Sequence, residues 1–237
     1  LSADGLVALS AHRDDTVRLW DVSTGRCLRT FTTPPVGVGG VALSADGLVA
    51  LSAHRDDTVR AWDVATGQCL CTVEDHTANV NSVALSSNGR LALSGSGELL
   101  GYAKGRLLLS EIPTGRCLQN FDGYVDLVAL SADGRLALSG SMDETLRLWE
   151  LGTGRCLRTF EGHGDYVESV ALSADGRYGL SGSDDRTVRV WNLSTGDCLR
   201  VLEGHTEAVN AVALSRDGRF ALSGGRDKTV RLWDVSR

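Results

Sequence analysis

Short apolar stretches, polar turns and strict alternation recur along the whole chain, and no stretch carries a helical period. One copy of the pattern shows its parts. Val167-Glu168-Ser169-Val170-Ala171-Leu172 is followed by Asp175-Gly176 and then by a second apolar stretch, Tyr178-Gly179-Leu180-Ser181. The polar turn Asp184-Asp185-Arg186 leads to Thr187-Val188-Arg189-Val190-Trp191, which alternates with period two. Thr195-Gly196 then precedes Asp197-Cys198-Leu199-Arg200-Val201-Leu202. Four short antiparallel strands joined by three turns are predicted. The first turn recurs as Asp4-Gly5, Asp46-Gly47, Asn88-Gly89, Asp133-Gly134, Asp175-Gly176 and Asp217-Gly218, a hairpin signal in which both residues are expected at positive φ.

Tryptophan sets the register of the copies. Trp149, Trp191 and Trp233 follow one another at intervals of 42 residues, as do Trp20 and Trp62. Between Trp62 and Trp149 lies a further copy with Ser110 in the tryptophan position. Residues 1–24 and 43–66 differ only at Leu19/Ala61 and Ser23/Ala65. A lone four-stranded sheet has apolar faces that it cannot bury, so the copies must stack. The fold expected is all-β, a β-propeller of four-stranded antiparallel blades in a single domain over residues 1–237. The six blades are placed at about 1–31, 32–74, 75–121, 122–160, 161–202 and 203–237, with the first and last incomplete. The expectation is a fragment of a longer chain whose full ring has seven blades.

Composition narrows the function classes. Hydrophobic residues make up 42% and charged residues 23%, as in ordinary globular domains, and 28 glycines against 3 prolines suit many tight turns. A net charge of -6 disfavours general affinity for nucleic acid. No apolar run approaches the ~20 residues of a membrane helix, so no membrane association is expected. Cys27, Cys69, Cys117, Cys156 and Cys198 each follow a Thr-Gly pair by two residues, one per copy. They are therefore read as reduced, buried strand residues, with Cys71 on the same strand face as Cys69, and a cytoplasmic location follows.

The Gly162-His163 and Gly204-His205 dipeptides, the Asp-x-Thr turns and the Trp20-Asp21, Trp62-Asp63 and Trp233-Asp234 pairs resemble the WD40 repeat along the entire chain. The resemblance implies a Trp, Ser, His and Asp tetrad stitching each blade: His163, Ser181, Asp185 and Trp191 in the fifth, and His205, Ser223, Asp227 and Trp233 in the sixth. The other blades depart from it. Blade 2 has Ser52, Asp56 and Trp62 but Pro34 in the histidine position. Blade 3 keeps His76 and Ser94 and lacks the Asp and the Trp. Blade 4 has Ser139, Asp143 and Trp149, and a deletion before Tyr124 removes its histidine. Blade 1 has Ser10, Asp14 and Trp20. Blades 5 and 6 are accordingly expected to be the best ordered. Blade 3 also carries six extra residues within Gly95–Gly105, where Leu99, Leu100 and Tyr102 suggest contact with a partner as much as a decayed hairpin.

Catalysis is weighed against binding. Ser181, His163 and Asp185 have the residue types of a hydrolase triad, but the set recurs as Ser223, His205 and Asp227, each with a tryptophan at fixed offset. No Gly-x-Ser-x-Gly elbow is present. His12 and His54 lack a third ligand for a metal and are read as solvated turn residues. Gly37-Val38-Gly39-Gly40 lacks the lysine of a phosphate loop and reads as a loosened strand. No cofactor, metal or small-molecule substrate is expected. The resemblance implies docking on the face built from the second turns and the starts of the inner strands. Arg13, Arg55, Met142, Asp184 and Arg226 are assigned to that face, with Asn79, Tyr124, Tyr166 and Ala208 beside them. Arginine and tyrosine are typical interface anchors, and a protein or peptide carrying carboxylates or phosphate suits the arginines. Nucleic-acid binding through the same arginines is the competing possibility, weakened by Asp184 and by the lack of a basic stripe. Repeats this similar resemble the WD40 arrays fused to bacterial kinases and other signalling proteins, which implies a non-catalytic scaffold or sensor.

Overall fold

The computed structural model describes residues 1–97, 105–122, 125, 127–215 and 217–236. Every regular element in them is a β-strand, and the strands form six antiparallel sheets taken in chain order. Blade 1 holds β1 (Val7–Ala11), β2 (Thr16–Asp21) and β3 (Cys27–Thr32). Blade 2 holds β4 (Val38–Leu43), β5 (Val49–His54), β6 (Val59–Asp63) and β7 (Cys69–Val73). Blade 3 holds β8 (Val80–Leu85), β9 (Leu91–Ser96), β10 (Arg106–Glu111) and β11 (Cys117–Asp122). Blade 4 holds β12 (Leu127–Leu130), β13 (Leu136–Gly140), β14 (Leu146–Glu150) and β15 (Arg155–Phe160). Blade 5 holds β16 (Val167–Leu172), β17 (Tyr178–Ser183), β18 (Val188–Asn192) and β19 (Cys198–Leu202). Blade 6 holds β20 (Val209–Leu214), β21 (Phe220–Gly225) and β22 (Val230–Asp234). The all-β, blade-by-blade organisation expected from the repeat is thus present. The blades fall into two compact units, Leu1–Asp126 and Leu127–Arg237, with three blades in each.

Within each unit the core lies between neighbouring blades. In the first unit, Val17, Leu19 and Phe31 of blade 1 pack on Ala50 and Trp62 of blade 2. Leu51, Val59, Ala61 and Val73 of blade 2 then meet Val80, Ala92 and Ile112 of blade 3. In the second unit, Leu138, Leu146, Leu148 and Phe160 pack on Val167, Trp191 and Leu193, and Leu180, Val188 and Val190 on Val209, Ala221 and Val235. In blades 2 and 5 one side of the tryptophan strand therefore faces the following blade, while Trp62 and Trp191 face the preceding one. Phe31–Trp62 and Phe160–Trp191 meet with centroids 5.6 Å apart, within the favourable range for tilted or edge-on rings.

The turns differ from expectation in one respect. At the first turn only the glycine is left-handed, as in Gly47 (φ 72°) and Gly176 (φ 67°), while the preceding aspartate is not. The reason is the serine two residues before the aspartate. Ser44 Oγ donates to Asp46 Oδ1 (2.6 Å), the same carboxylate accepts the Leu48 N–H, and Ser44 Oγ accepts the Val49 N–H. This side-chain scaffold fixes a longer turn than a two-residue hairpin. The second turn instead places a non-glycine residue at positive φ in five blades: Asp15, Asp57, Glu144, Arg186 and Lys228.

The segment Gly37–Gly40 is likewise not a loosened strand. β4 runs through it, and a Cβ on Gly39 would lie 2.5 Å from the Val80 carbonyl oxygen. The glycines there let β4 approach the β8 backbone. The cysteines differ too. Cys27, Cys69, Cys156 and Cys198 are exposed, and Cys71 and Cys117 are partly so, because each lies on an outermost strand; all six are free thiols.

Candidate functional site

Two groups of side chains matter, one within the blades and one on the rim. In blade 5 the first group is a hydrogen-bonded chain. Trp191 Nε1 donates to Ser181 Oγ (2.8 Å), Ser181 lies 2.7 Å from His163 Nε2, and His163 Nδ1 lies 2.7 Å from Asp185 Oδ2. The carboxylate can only accept, so Nδ1 carries the proton that it donates to Asp185. Blade 6 repeats the chain through Trp233, Ser223, His205 and Asp227 at 2.7–2.8 Å. Burial opposes ionisation of Asp185, yet hydrogen bonds from His163 and Thr187 hold its carboxyl far below the usual carboxylate range.

The other blades rebuild the chain from different residues. His54, expected to be a solvated turn residue, is fully buried and sits 2.7 Å from Ser52 Oγ, which also accepts from Trp62 Nε1 (2.8 Å). It enters from the end of β5 and bonds the serine as His163 does in blade 5. His12 does the same in blade 1, with Nε2 2.8 Å from Ser10 Oγ. In both blades, and in blade 4, the turn aspartate pairs with an arginine four residues on: Asp14 with Arg18, Asp56 with Arg60 (2.7 Å) and Asp143 with Arg147 (2.5 Å). In blade 3, His76 bridges Ser94 (2.6 Å) and Ser96 (2.8 Å), so Ser96 takes the part of the missing aspartate. Ser110, in the tryptophan position, is buried and its Oγ has no partner.

Burial, reinforced by Arg60, pushes His54 down to about 4, and burial with Arg106 pushes His76 to about 4. Both are neutral imidazoles at pH 7. Ser181 and Ser223, the serines of the triad-like sets, are buried. No group of three or more metal-ligating side chains occurs among the described residues.

Within each unit the second turns lie beside the starts of the inner strands, and these loops form the unit's rim. Backbone bonds tie the two sets: Arg55 N to Gly37 O (3.2 Å) and Gly97 N to Asn79 O (3.2 Å) in the first unit, Asp184 N to Tyr166 O (2.9 Å) and Arg226 N to Ala208 O (2.8 Å) in the second. Arg13, Arg55 and Arg226 are exposed, as is Tyr166; Asn79, Met142 and Asp184 are partly covered. Ala208 is buried, contrary to its assignment to the face, and reaches the second turn only through its carbonyl oxygen. Arg226 leans toward Glu168 (3.7 Å) and Asp184 (3.8 Å), which offset its charge. Tyr124 and the insertion residues Leu99, Leu100 and Tyr102 lie outside the described residues.

The family description "WD domain, G-beta repeat" matches residues 25–63, 67–98, 115–150, 154–192 and 196–234. These segments cover well over half of the sequence. The chain belongs to the WD40 repeat family. Four of the five matched WD40 segments begin near an outer strand and end at the tryptophan strand of the next blade, so the sequence repeat is offset from the structural blade. The second segment stops at 98, short of β10, where blade 3 has Ser110 for tryptophan. No curated protein matches the chain significantly. No described helix is long and apolar enough to cross a membrane.

Proposed function

We propose that the chain is a non-catalytic scaffold or sensor module that holds a protein or peptide partner on its rim. WD40 repeats typically mediate protein–protein contacts, and the rim offers exposed arginines and Tyr166 while His163, Ser181, His205 and Ser223 are buried. That contrast carries the reading: the residues with triad chemistry are buried and mutually satisfied, and those with interface chemistry are exposed. A role within a larger cytoplasmic signalling protein fits the likeness among the copies, and the net charge of -6 disfavours nucleic acid as the partner.

Capture of partners from the native cell extract tests it, with the triple variant R13E/R55E/Y166A compared against an outer-strand control, L157E. Loss of the captured proteins with the rim variant, and their retention with the control, is expected. Equal capture by both variants would overturn the rim assignment, and ester hydrolysis lost in S181A would overturn the non-catalytic reading.

A further inference from the structure

In the first unit, the cleft between blades 1 and 2 is lined by Ala11, His12, Arg13, Gly37, Val38 and Arg55, and has a volume of about 510 Å³. Arg13 and Arg55 occupy equivalent places in two nearly identical copies, so neighbouring blades present two guanidinium groups to one cleft. Among the described residues, neither guanidinium has an ion pair or a hydrogen bond, in contrast to Arg226. The nearby acids are bonded to groups other than these two arginines. Asp14 binds Thr16 and Arg18, Asp56 binds Thr58 and Arg60, and Asp15 Oδ1 accepts the Gly37 N–H (2.8 Å). Asp57, the remaining acid of the second turn, is not among the lining residues.

The cleft is also shaped by its backbone. Gly37 is left-handed (φ 81°), and a Cβ there would meet Arg55 Cδ at 3.3 Å. The stem of Arg55 therefore lies along the glycine, and its position is set by a residue that only glycine fits comfortably. His12, with Nε2 committed to Ser10, retains Nδ1 as its remaining hydrogen-bonding atom.

We propose that this cleft is a phosphoryl-binding site, in which Arg13 and Arg55 together grip one phosphate group. Two planar guanidinium forks match the charge and geometry of a phosphate dianion, which a single carboxylate would satisfy less well. The proposal deepens the scaffold reading and rests on it, because it specifies what the partner presents to the rim.

Titration of the ¹⁵N-labelled protein with inorganic phosphate and with N-acetyl-phosphoserine amide, at constant ionic strength, tests it by the arginine Nε–H resonances. Saturable shifts of Arg13 and Arg55 are expected, without a comparable response at Arg226. R13Q and R55Q should each weaken binding at least fivefold, R226Q should not, and R55K should fall between. Tighter binding of the phosphoserine amide than of inorganic phosphate marks a peptide-borne group; equal binding marks a site for free phosphate, and both support phosphoryl recognition. Shifts that are not saturable, that match those at Arg226, or that survive R55Q overturn it. If rim variants still lose the captured partners while phosphate fails to bind, the scaffold reading stands and the phosphoryl site alone falls.

Discussion

At the scale of single residues, one buried polar problem is solved in different ways. Each tryptophan buries an indole N–H, and a serine ten residues earlier accepts it in five blades. That hydroxyl then needs a partner of its own, supplied from the preceding loop by His163 and His205 or from the same strand by His12 and His54. The second solution has a consequence for acid stability. His54 has its Nδ1 buried without a partner, and like His76 it faces no carboxylate within hydrogen-bonding reach, so the charged form is disfavoured when folded. With folded values near 4 against 6.5 for a free imidazole, the unfolded chain binds more protons between these limits. Stability is therefore full above about pH 6.5 and declines as the pH falls toward 4. Urea midpoints measured across this window should drop on acidification, and the double variant H54Q/H76Q should show a flatter profile. A profile as steep as that of the wild type would refute the assignment.

Elements are joined by a second repeated device, on the outer strands. Arg29 Nη2 donates to Ala65 O (2.6 Å), Arg158 Nη2 to Ser194 O (2.9 Å) and Arg200 Nη2 to Ser236 O (2.7 Å). In each case the guanidinium of one blade closes onto the last turn, or its equivalent stretch, in the following blade. Cys71 holds the same place in blade 2 and lies against Gly115, so blades 2 and 3 lack this tie. Because these arginines are exposed, each bond should contribute about 1 kcal/mol. Arg158→Ala is expected to lower stability in chemical denaturation by that amount, and by the same measure Arg200→Ala should act alike. No change in either midpoint would show the ties to be incidental.

At the scale of the whole molecule, the blades are unequal for reasons beyond their tetrads. Blade 5 has four strands and a neighbour on each face within its unit, whereas blade 6 has three strands. Val230 and Leu232 are 76% and 68% exposed, while Val188 and Val190, their counterparts in blade 5, are 0% and 6% exposed. The two tryptophan strands therefore differ in burial although both blades carry the full tetrad. Hydrogen exchange in the second unit should find the amides of β18 slowest and those of β22 fastest. Equal protection of the two would mean that β22 is covered in solution.

The sequence by itself determined the class of fold, the register of the copies and which residues carry polar chemistry. It could do so because strand alternation, turn residues and the 42-residue tryptophan spacing are local signals repeated several times. Partnership was decided only in three dimensions. The pairing of His54 with Ser52, the exposure of the cysteines on outer strands and the burial of Ala208 depend on which backbone lies alongside, as does the use of Gly39 for close approach. The same holds for the arginines of the rim. Arg13, Arg55 and Arg226 look alike in the repeat, and only the neighbouring blade's carboxylates distinguish the engaged one from the two left facing a cleft.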